Sequence, residues 1–393
     1  MERQHLALFI HGFSGGGAQR RTVTLANELA ARGHLVDLVV VDPEGVLRPQ
    51  VAEAVRVIAL GSRHRRTPPS ARSRRREVFL SIPTLARYLR RARPAVLLSA
   101  ASHVNLAAVC AWRLARADTA LALRASNHLS RLRSLMRSPH PGRLLLARRL
   151  YPLADAIIAV SRGVADDVAA VTGVPRERIT TIYNPVVTPA LERQAAMPLD
   201  HPWFQPGAPP VLLAAGRFVP QKDFPTLVRA FARVRAVRPA RLVILGEAKK
   251  PARRARLEAL ARELGVAGDV CLAGFVANPY AYMARAAVFV LSSRWEGLPG
   301  VLIEALACGC PVVSTDCPSG PAEILENGRY GPLVRVGDAA ALAAATLSVL
   351  AAPLARATLR TRAAAFSVET AVDQYERVLV ALAQRRLACH TPP

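Results

Sequence analysis

The sequence predicts an α/β protein built from two doubly wound domains in tandem. Three observations carry that prediction. Short apolar runs alternate with longer amphipathic ones along most of the chain. The short runs are continuously apolar rather than alternating, as strands of a parallel sheet covered on both faces must be. The pattern also halts at a proline-rich stretch and then restarts. A chain of 393 residues exceeds the size at which one core usually keeps growing, which agrees with two domains.

In order, Leu6–Ile10 is the first predicted strand and Ala18–Arg32 the helix behind it. Leu35–Val41 and Val55–Leu60 follow as strands, and Val78–Arg93 as one helix. Ala95–Ser99, Thr119–Arg124 and Ala156–Val160 complete the first set of strands, with a helix at Val104–Arg116. Asn184 to Pro210 holds seven prolines and reads as a linker. Strands are then expected at Val211–Ala215, Leu242–Leu245, Val270–Ala273, Val288–Leu291 and Pro311–Ser314, with helices between them. The expected division is a first domain over 1–185, a linker over 186–209, a second domain over 210–366 and a C-terminal helix within 367–393. That helix has apolar residues at 368, 372, 375, 378, 379 and 382, which form one face and make it a candidate to pack back on the first domain. Doubly wound sheets bind ligands beyond the carboxyl ends of their strands, so the space between two such domains is the natural site.

The formal net charge is +25, carried almost wholly by arginine, since lysine occurs only at 222, 249 and 250. The first 200 residues hold 30 arginines against 14 acidic side chains, concentrated in Arg63–Arg76 and Arg131–Arg149. A basic surface attracts phosphates in nucleic acid, anionic lipid or diphosphate substrates; a plain solvated surface accounts for it as well. Aromatic residues make up 5%, too few for a platform that stacks single-stranded nucleic acid. Six cysteines are scattered at 110, 271, 308, 310, 317 and 389. Cys308-Gly-Cys310 with Cys317 could suggest a metal site, but no histidine lies near, and free buried thiols in a reducing compartment are the simpler reading. Met1–Ala7 is too short and polar for a signal peptide, and no uncharged run of 18 apolar residues predicts a membrane span.

Three loops carry the chemistry. His11 to Gln19 is glycine-rich, follows the first strand and opens the first helix, so its backbone can approach an anion at a helix N-terminus. It is neither Gly-x-Gly-x-x-Gly nor a P-loop, and a tight turn without a ligand also explains its glycines. Gly216-Arg217 through Lys222-Asp223 places two cations five residues apart beyond a strand, an arrangement suited to a diphosphate. Ser292 to Ala305 is the most informative. A helix is expected over Pro299–Cys308, stopped by Gly309, which leaves Glu296 on the loop and Glu304 about two turns into the helix. Eight residues would span roughly 12 Å along a helix, beyond the roughly 5–9.5 Å separation of glycosidase carboxyls; with Glu296 off the helix, this argues against hydrolysis without excluding it.

Together these residues resemble glycosyltransferase family 4, the retaining enzymes of the GT-B fold, in which two Rossmann-like domains face each other across a cleft. The phrase EGLPGVLIEALACGCPVV from Glu296 to Val313 is similar to that family's E-x7-E signature. Agreement extends to Gly320-Pro321-Ala322-Glu323-Ile324, to Gly216-Arg217 with Lys222, and to the first glycine-rich turn. The resemblance implies that Arg217 and Lys222 hold the donor diphosphate and stabilise the leaving group. It implies that Glu296 meets hydroxyls of the donor sugar and Glu304 those of the ribose. Leu298, Pro299 and Gly300 would border the same site, Gly16 and Gly17 would approach phosphate and sugar, and the backbone at Phe275 and Val276 would hold the base. A family histidine that contacts the transferring sugar maps to His103, with His128 as competitor. The wording around Ser99–Asn105 and Arg124-x-Ser126-Asn127 is similar to bacterial members that build polysaccharides or lipid-linked oligosaccharides, often from UDP-linked N-acetylhexosamines. The implied activity is transfer of a hexose or N-acetylhexosamine, with no cofactor and no metal, to a saccharide or lipid-linked acceptor. The implied setting is cytoplasmic, with peripheral attachment to the anionic inner face of the cell membrane and no nucleic-acid partner. Two alternatives stay open: a UDP-sugar 2-epimerase on a similar fold, and a non-catalytic basic binding protein.

Overall fold

In the computed structural model the described residues are 3–61, 71–102, 104–130, 141–248 and 250–388. The chain forms two units, Met1–Pro185 with Val368–Pro393, and Val186–Ser367.

The first unit holds a seven-stranded sheet of β1 (His5–Gly12), β2 (Leu35–Asp42), β3 (Val55–Ala59), β4 (Val96–Ser99), β5 (Ala120–Ala125), β6 (Ala156–Ala159) and β7 (Ile179–Thr181). Its order is β3-β2-β1-β4-β5-β6-β7, and every pairing is parallel. The chain winds outward from β1 to β3 and then jumps to β4, so the switch point lies between β1 and β4. The glycine turn leads there into α1 (Gly17–Ala31), and the remaining crossovers are α2 (Ala71–Leu80), α3 (Ile82–Ala92), α4 (Asn105–Ala115), α5 (Pro141–Leu150) and α6 (Arg162–Thr172). The helix expected as one piece over Val78–Arg93 is in fact two. The break falls at Ser81, whose hydroxyl donates to the Val78 carbonyl at 2.7 Å, and Pro83 sits in the first turn of α3, where a missing N–H costs nothing.

The second unit begins with α7 (Pro189–Ala196), inside the proline-rich stretch, capped by the Thr188 hydroxyl accepting from Leu191 N. Its six-stranded sheet contains β8 (Val211–Ala215), β9 (Arg241–Leu245), β10 (Val270–Gly274), β11 (Val288–Leu291), β12 (Val312–Thr315) and β13 (Leu333–Val334) in the order β10-β9-β8-β11-β12-β13. All of these pairings are parallel too. The connecting helices are α8 (Phe224–Val237), α9 (Pro251–Glu263), α10 (Pro279–Arg285), α11 (Gly300–Ala307) and α12 (Pro321–Ile324), followed by α13 (Ala339–Ala351) and α14 (Arg356–Ala364). Val186 N and Val187 N both donate to the Phe366 carbonyl, so the segments that begin and end this unit run side by side.

The last helix, α15 (Val368–Ala388), belongs to the first unit. Val368, Val372, Tyr375, Leu379, Leu382 and Ala383 share a core with Leu6, Leu8 and Ile10 of β1 and with Val23 and Leu25 of α1. Each large apolar side chain buried this way contributes about 2 kcal/mol. The polar side of the seam is specific. Arg32 pairs with Glu376 and Asp373, and His34 bridges Gln4 N and the Glu376 carboxylate at 3.2 and 3.0 Å.

One buried charge also belongs to this unit. Asp37 of β2 is fully enclosed and is bonded by His5 Nε2 at 2.9 Å, Arg56 Nε at 2.6 Å and Tyr88 OH at 2.6 Å. Burial alone would raise its pKa. The bonds from His5, Arg56 and Tyr88 outweigh that and hold the carboxyl at about 2.

Candidate functional site

Strands β8 and β11 are neighbours, so the loops after them emerge side by side although 74 residues separate the key side chains. After β8 the chain turns through Gly216 and makes a 3-10 turn at Pro220–Lys222; after β11 it runs through Ser292–Pro299 into α11. The two loops are stitched together. Arg294 N donates to the Gln221 carbonyl at 2.8 Å, Ser292 Oγ to the Lys222 carbonyl at 2.8 Å, and Arg294 Nε to Asp223 Oδ2 at 3.0 Å.

At the centre Lys222 Nζ donates to Glu296 Oε1 at 2.7 Å. Ser293 Oγ donates to the same oxygen at 2.7 Å, and Gln221 Nε2 reaches Oε2 at 3.2 Å and the Trp295 carbonyl at 2.9 Å. Glu296 is therefore a buried carboxylate held by three donors, as a buried charge requires. The aliphatic stem of Lys222 lies against Gly216. A Cβ added there would sit 2.8 Å from Lys222 Cε, and the Gly216 φ of 154° is one that side-chain-bearing residues rarely adopt.

The neighbouring segments close around this pair. Glu296 N donates to the Pro318 carbonyl, and Gly320 approaches so closely that a Cβ would meet Pro299 Cδ at 2.4 Å and Leu298 Cα at 3.1 Å. That contact explains why the Gly320-Pro321 phrase accompanies the Glu296 phrase in the sequence. Pro299 caps α11, Gly300 opens it, and Glu304 lies buried on the helix. Arg217 is exposed beside Gly216, with no side-chain hydrogen bond or ion pair among the described residues. A Cβ at Gly246, after β9, would meet the Gly216 carbonyl at 2.1 Å, and Gly246 N donates to the Gly274 carbonyl at 2.6 Å. The loops after β8, β9 and β10 are thereby tied together, and Phe275 stands exposed on the last of them, followed by a half-buried Val276.

Cys308, Cys310 and Cys317 are buried free thiols. Burial, and then the nearby Glu296, push Cys317 up to about 12; burial and Glu304 do the same for Cys308. These thiols stay protonated and inert. Among the described residues no three His, Cys, Asp or Glu side chains gather as metal ligands. Cys389 lies outside the described residues.

In the first unit, Gly16 and Gly17 are exposed at the start of α1, and a Cβ at Gly17 would meet nothing within 4 Å. Gln19 Oε1 accepts from Gly16 N at 3.1 Å and Ser14 Oγ at 2.9 Å, which holds the turn. His103 lies outside the described residues. His128, beyond β5, is buried with Nδ1 3.2 Å from Asp167 Oδ1. Asp167 also accepts from Leu129 N and the Ser130 hydroxyl. Burial works against its ionisation, yet the bonds from His128 and Ser130 bring its pKa below the usual carboxylate range.

The sequence reading missed Gln221 and Ser293. Ser293 stands three residues before Glu296 and is the one whose position in the phrase could have suggested it. Gln221 becomes visible only once β8 and β11 are known to be adjacent.

Two family models match the chain: one described as Glycosyltransferase Family 4 over 15–188, and one as Glycosyl transferases group 1 over 209–352. The lipopolysaccharide core biosynthesis glycosyltransferase LpsE of Rhizobium meliloti is 31% identical over 97% of this chain and 98% of its own length. The N-acetylgalactosamine-N,N'-diacetylbacillosaminyl-diphospho-undecaprenol 4-alpha-N-acetylgalactosaminyltransferase of Campylobacter jejuni is 34% identical over 48% of this chain, and the match spans about half, 49%, of that relative. Sucrose-phosphate synthase from Thermosynechococcus elongatus superposes with a TM-score of 0.77 at 23% identity, covering 99% of this chain and 100% of that one. Anabaena Alr3699/HepE in complex with UDP and glucose gives 0.74 at 19% identity, covering 96% and 100%. At these identities the two structures speak for the fold.

Proposed function

This chain belongs to glycosyltransferase family 4 and has the GT-B fold, and from that premise we propose that it transfers a hexose or N-acetylhexosamine, with retention, from a UDP-linked donor to a saccharide or lipid-linked acceptor in cell-surface glycan synthesis. The observation that carries the reading is the Lys222–Glu296 pair at the carboxyl edge of the second sheet, with Arg217 exposed beside it. A diphosphate needs cations at that edge, and a sugar needs a fixed acceptor of hydroxyl hydrogen bonds next to them. The names of the relatives, which include a lipopolysaccharide core enzyme and a diphospho-undecaprenol transferase, support the acceptor class.

In this reaction the acceptor oxygen bonds to the anomeric carbon on the face the diphosphate leaves. The anomeric C–O bond breaks, its electron pair passes to the β-phosphate oxygen, and that phosphate takes the acceptor proton. Arg217 and Lys222 offset the charge that accumulates there, a stabilisation aimed at the transition state. Glu296 orients the sugar and Glu304 the ribose. Gly16 and Gly17 serve phosphate and sugar, and His103 serves the transferring sugar, with His128, whose Nδ1 lies 3.2 Å from Asp167 Oδ1, as its competitor. The backbone at Phe275 and Val276 takes the base, with Leu298, Pro299 and Gly300 along the sugar and phosphates. No observation favours the epimerase or the binding-protein alternative.

A thermal-shift screen over nucleoside diphosphates and their sugars tests the reading. One nucleotide family should raise the Tm of the wild type, and Glu304→Ala should reduce that shift. If no nucleoside diphosphate or nucleotide sugar stabilises the wild type, the reading is wrong.

A further inference from the structure

We propose that the Lys222–Glu296 pair is a filter that favours a nucleotide sugar over the bare nucleoside diphosphate, so that the site sheds its product. The inference rests on the donor site assigned above. It starts from the geometry of one carboxylate. Glu296 Oε1 receives both Lys222 Nζ and Ser293 Oγ at 2.7 Å, and Oε2 receives Gln221 Nε2 at 3.2 Å. Ser293 is fully buried, and Gln221 is anchored to the Trp295 carbonyl, so neither can follow a ligand away from Glu296. The Lys222 stem is pinned on Gly216. The surrounding groups thus hold the carboxylate and the ammonium adjacent.

Two consequences follow from charge. The ammonium is already neutralised by its neighbour, so a phosphate gains less from Lys222 than from a free lysine. The carboxylate also repels any anion placed against the ammonium. A nucleotide sugar meets both difficulties: its β-phosphate is esterified to the sugar and carries one charge fewer, and the sugar supplies a hydroxyl donor for the lone pair of Glu296 Oε2 that Gln221 leaves open. The product has neither advantage. Its terminal phosphate carries an extra charge at neutral pH and brings no donors to the carboxylate. The same pair therefore accepts the substrate and weakens the product, without any movement of the chain.

The test is calorimetric titration of UDP, GDP and ADP, and of each as its glucose conjugate, into the wild type, Glu296→Gln and Glu247→Gln. With its oxygen in the place of Oε1, the amide introduced by Glu296→Gln keeps the acceptor for Ser293 and Lys222 while losing the charge and the bond from Gln221. Glu247 is an exposed carboxylate on the loop after β9, at the same edge of the sheet and with no bond to Lys222. For the nucleotide that binds, Glu296→Gln should tighten the bare diphosphate and weaken the conjugate, shifting the ratio of the two Kd values by about tenfold or more. Glu247→Gln should leave that ratio unchanged. A ratio that Glu296→Gln leaves alone, or that both variants move equally, overturns the filter while leaving the donor site standing. Absence of binding by every nucleotide to all three proteins removes the donor site, and the filter with it.

Discussion

At the scale of single residues the site depends on an absent side chain as much as on the charged ones. Gly216 leaves room for the Lys222 stem and holds a φ that would strain any other residue. Gly216→Ala should therefore displace the ammonium from Glu296. We expect kcat/KM to fall by about tenfold or more, with a stability cost of about 1–3 kcal/mol from the strained backbone. Steady-state kinetics with a thermal melt check both, and unchanged kinetics would show that the stem position is immaterial. Much of this site was legible in the sequence. Spacing placed Arg217 and Lys222 on one loop and Glu296 and Glu304 on a loop and the helix behind it. The partners of Glu296 were not legible, because Gln221 meets it only through the adjacency of β8 and β11, which no local pattern encodes.

At the scale of elements, the strands that sequence periodicity found are the longer and more apolar ones. It missed β7 and β13, which have three and two residues and sit at sheet edges, too short to form a run. It fused α2 and α3 because the apolar spacing continues through Ser81, while the break is made by a side-chain bond and a proline. The enclosed Asp37 ties β1, β2, β3 and α3 together through His5, Arg56 and Tyr88. Its pKa of about 2 lies below the unfolded value of about 3.9, so its contribution is complete above about pH 4 and is lost as pH falls toward 2. Asp37→Asn strands Arg56 and His5 without their anion and should cost about 3 kcal/mol at pH 7. The gap between variant and wild type should narrow as pH falls from about 4 to about 2, as read by melts at each pH. A gap that stays constant would mean that this carboxylate does not titrate as described.

At the scale of the whole molecule the arginine excess is the feature that the proposed donor site leaves unused. Of the two basic segments singled out in the sequence, 62–70 and 131–140 lie outside the described residues. The described remainder pairs exposed apolar side chains with exposed arginines: Phe79 and Leu80 follow Arg76 on α2, and Leu145 and Leu146 precede Arg148 and Arg149 on α5. Among the described residues no single helix is long and apolar enough to cross a membrane. Peripheral attachment to anionic lipid, proposed here as part of the acceptor reading, predicts binding to liposomes that contain an acidic phospholipid and release as salt shortens the screening length. Sedimentation at low and high salt measures it. Binding that ignores salt, or that fails on acidic liposomes, would count against attachment through these arginines.

The scarcity of lysine has a practical consequence. Fifty arginines accompany three lysines, and one of the three is the ammonium bonded to Glu296. Isotope labelling of lysine alone would thus yield a spectrum of three side-chain signals. One of them reports the Lys222–Glu296 pair of the proposed donor site directly, in the intact protein and without a substitution. The other two, at 249 and 250, adjoin each other in sequence and serve as an internal reference. Amine-selective tethering would likewise attach this protein through the lysines of its second unit and through the amino terminus, leaving the arginines of the first unit unmodified.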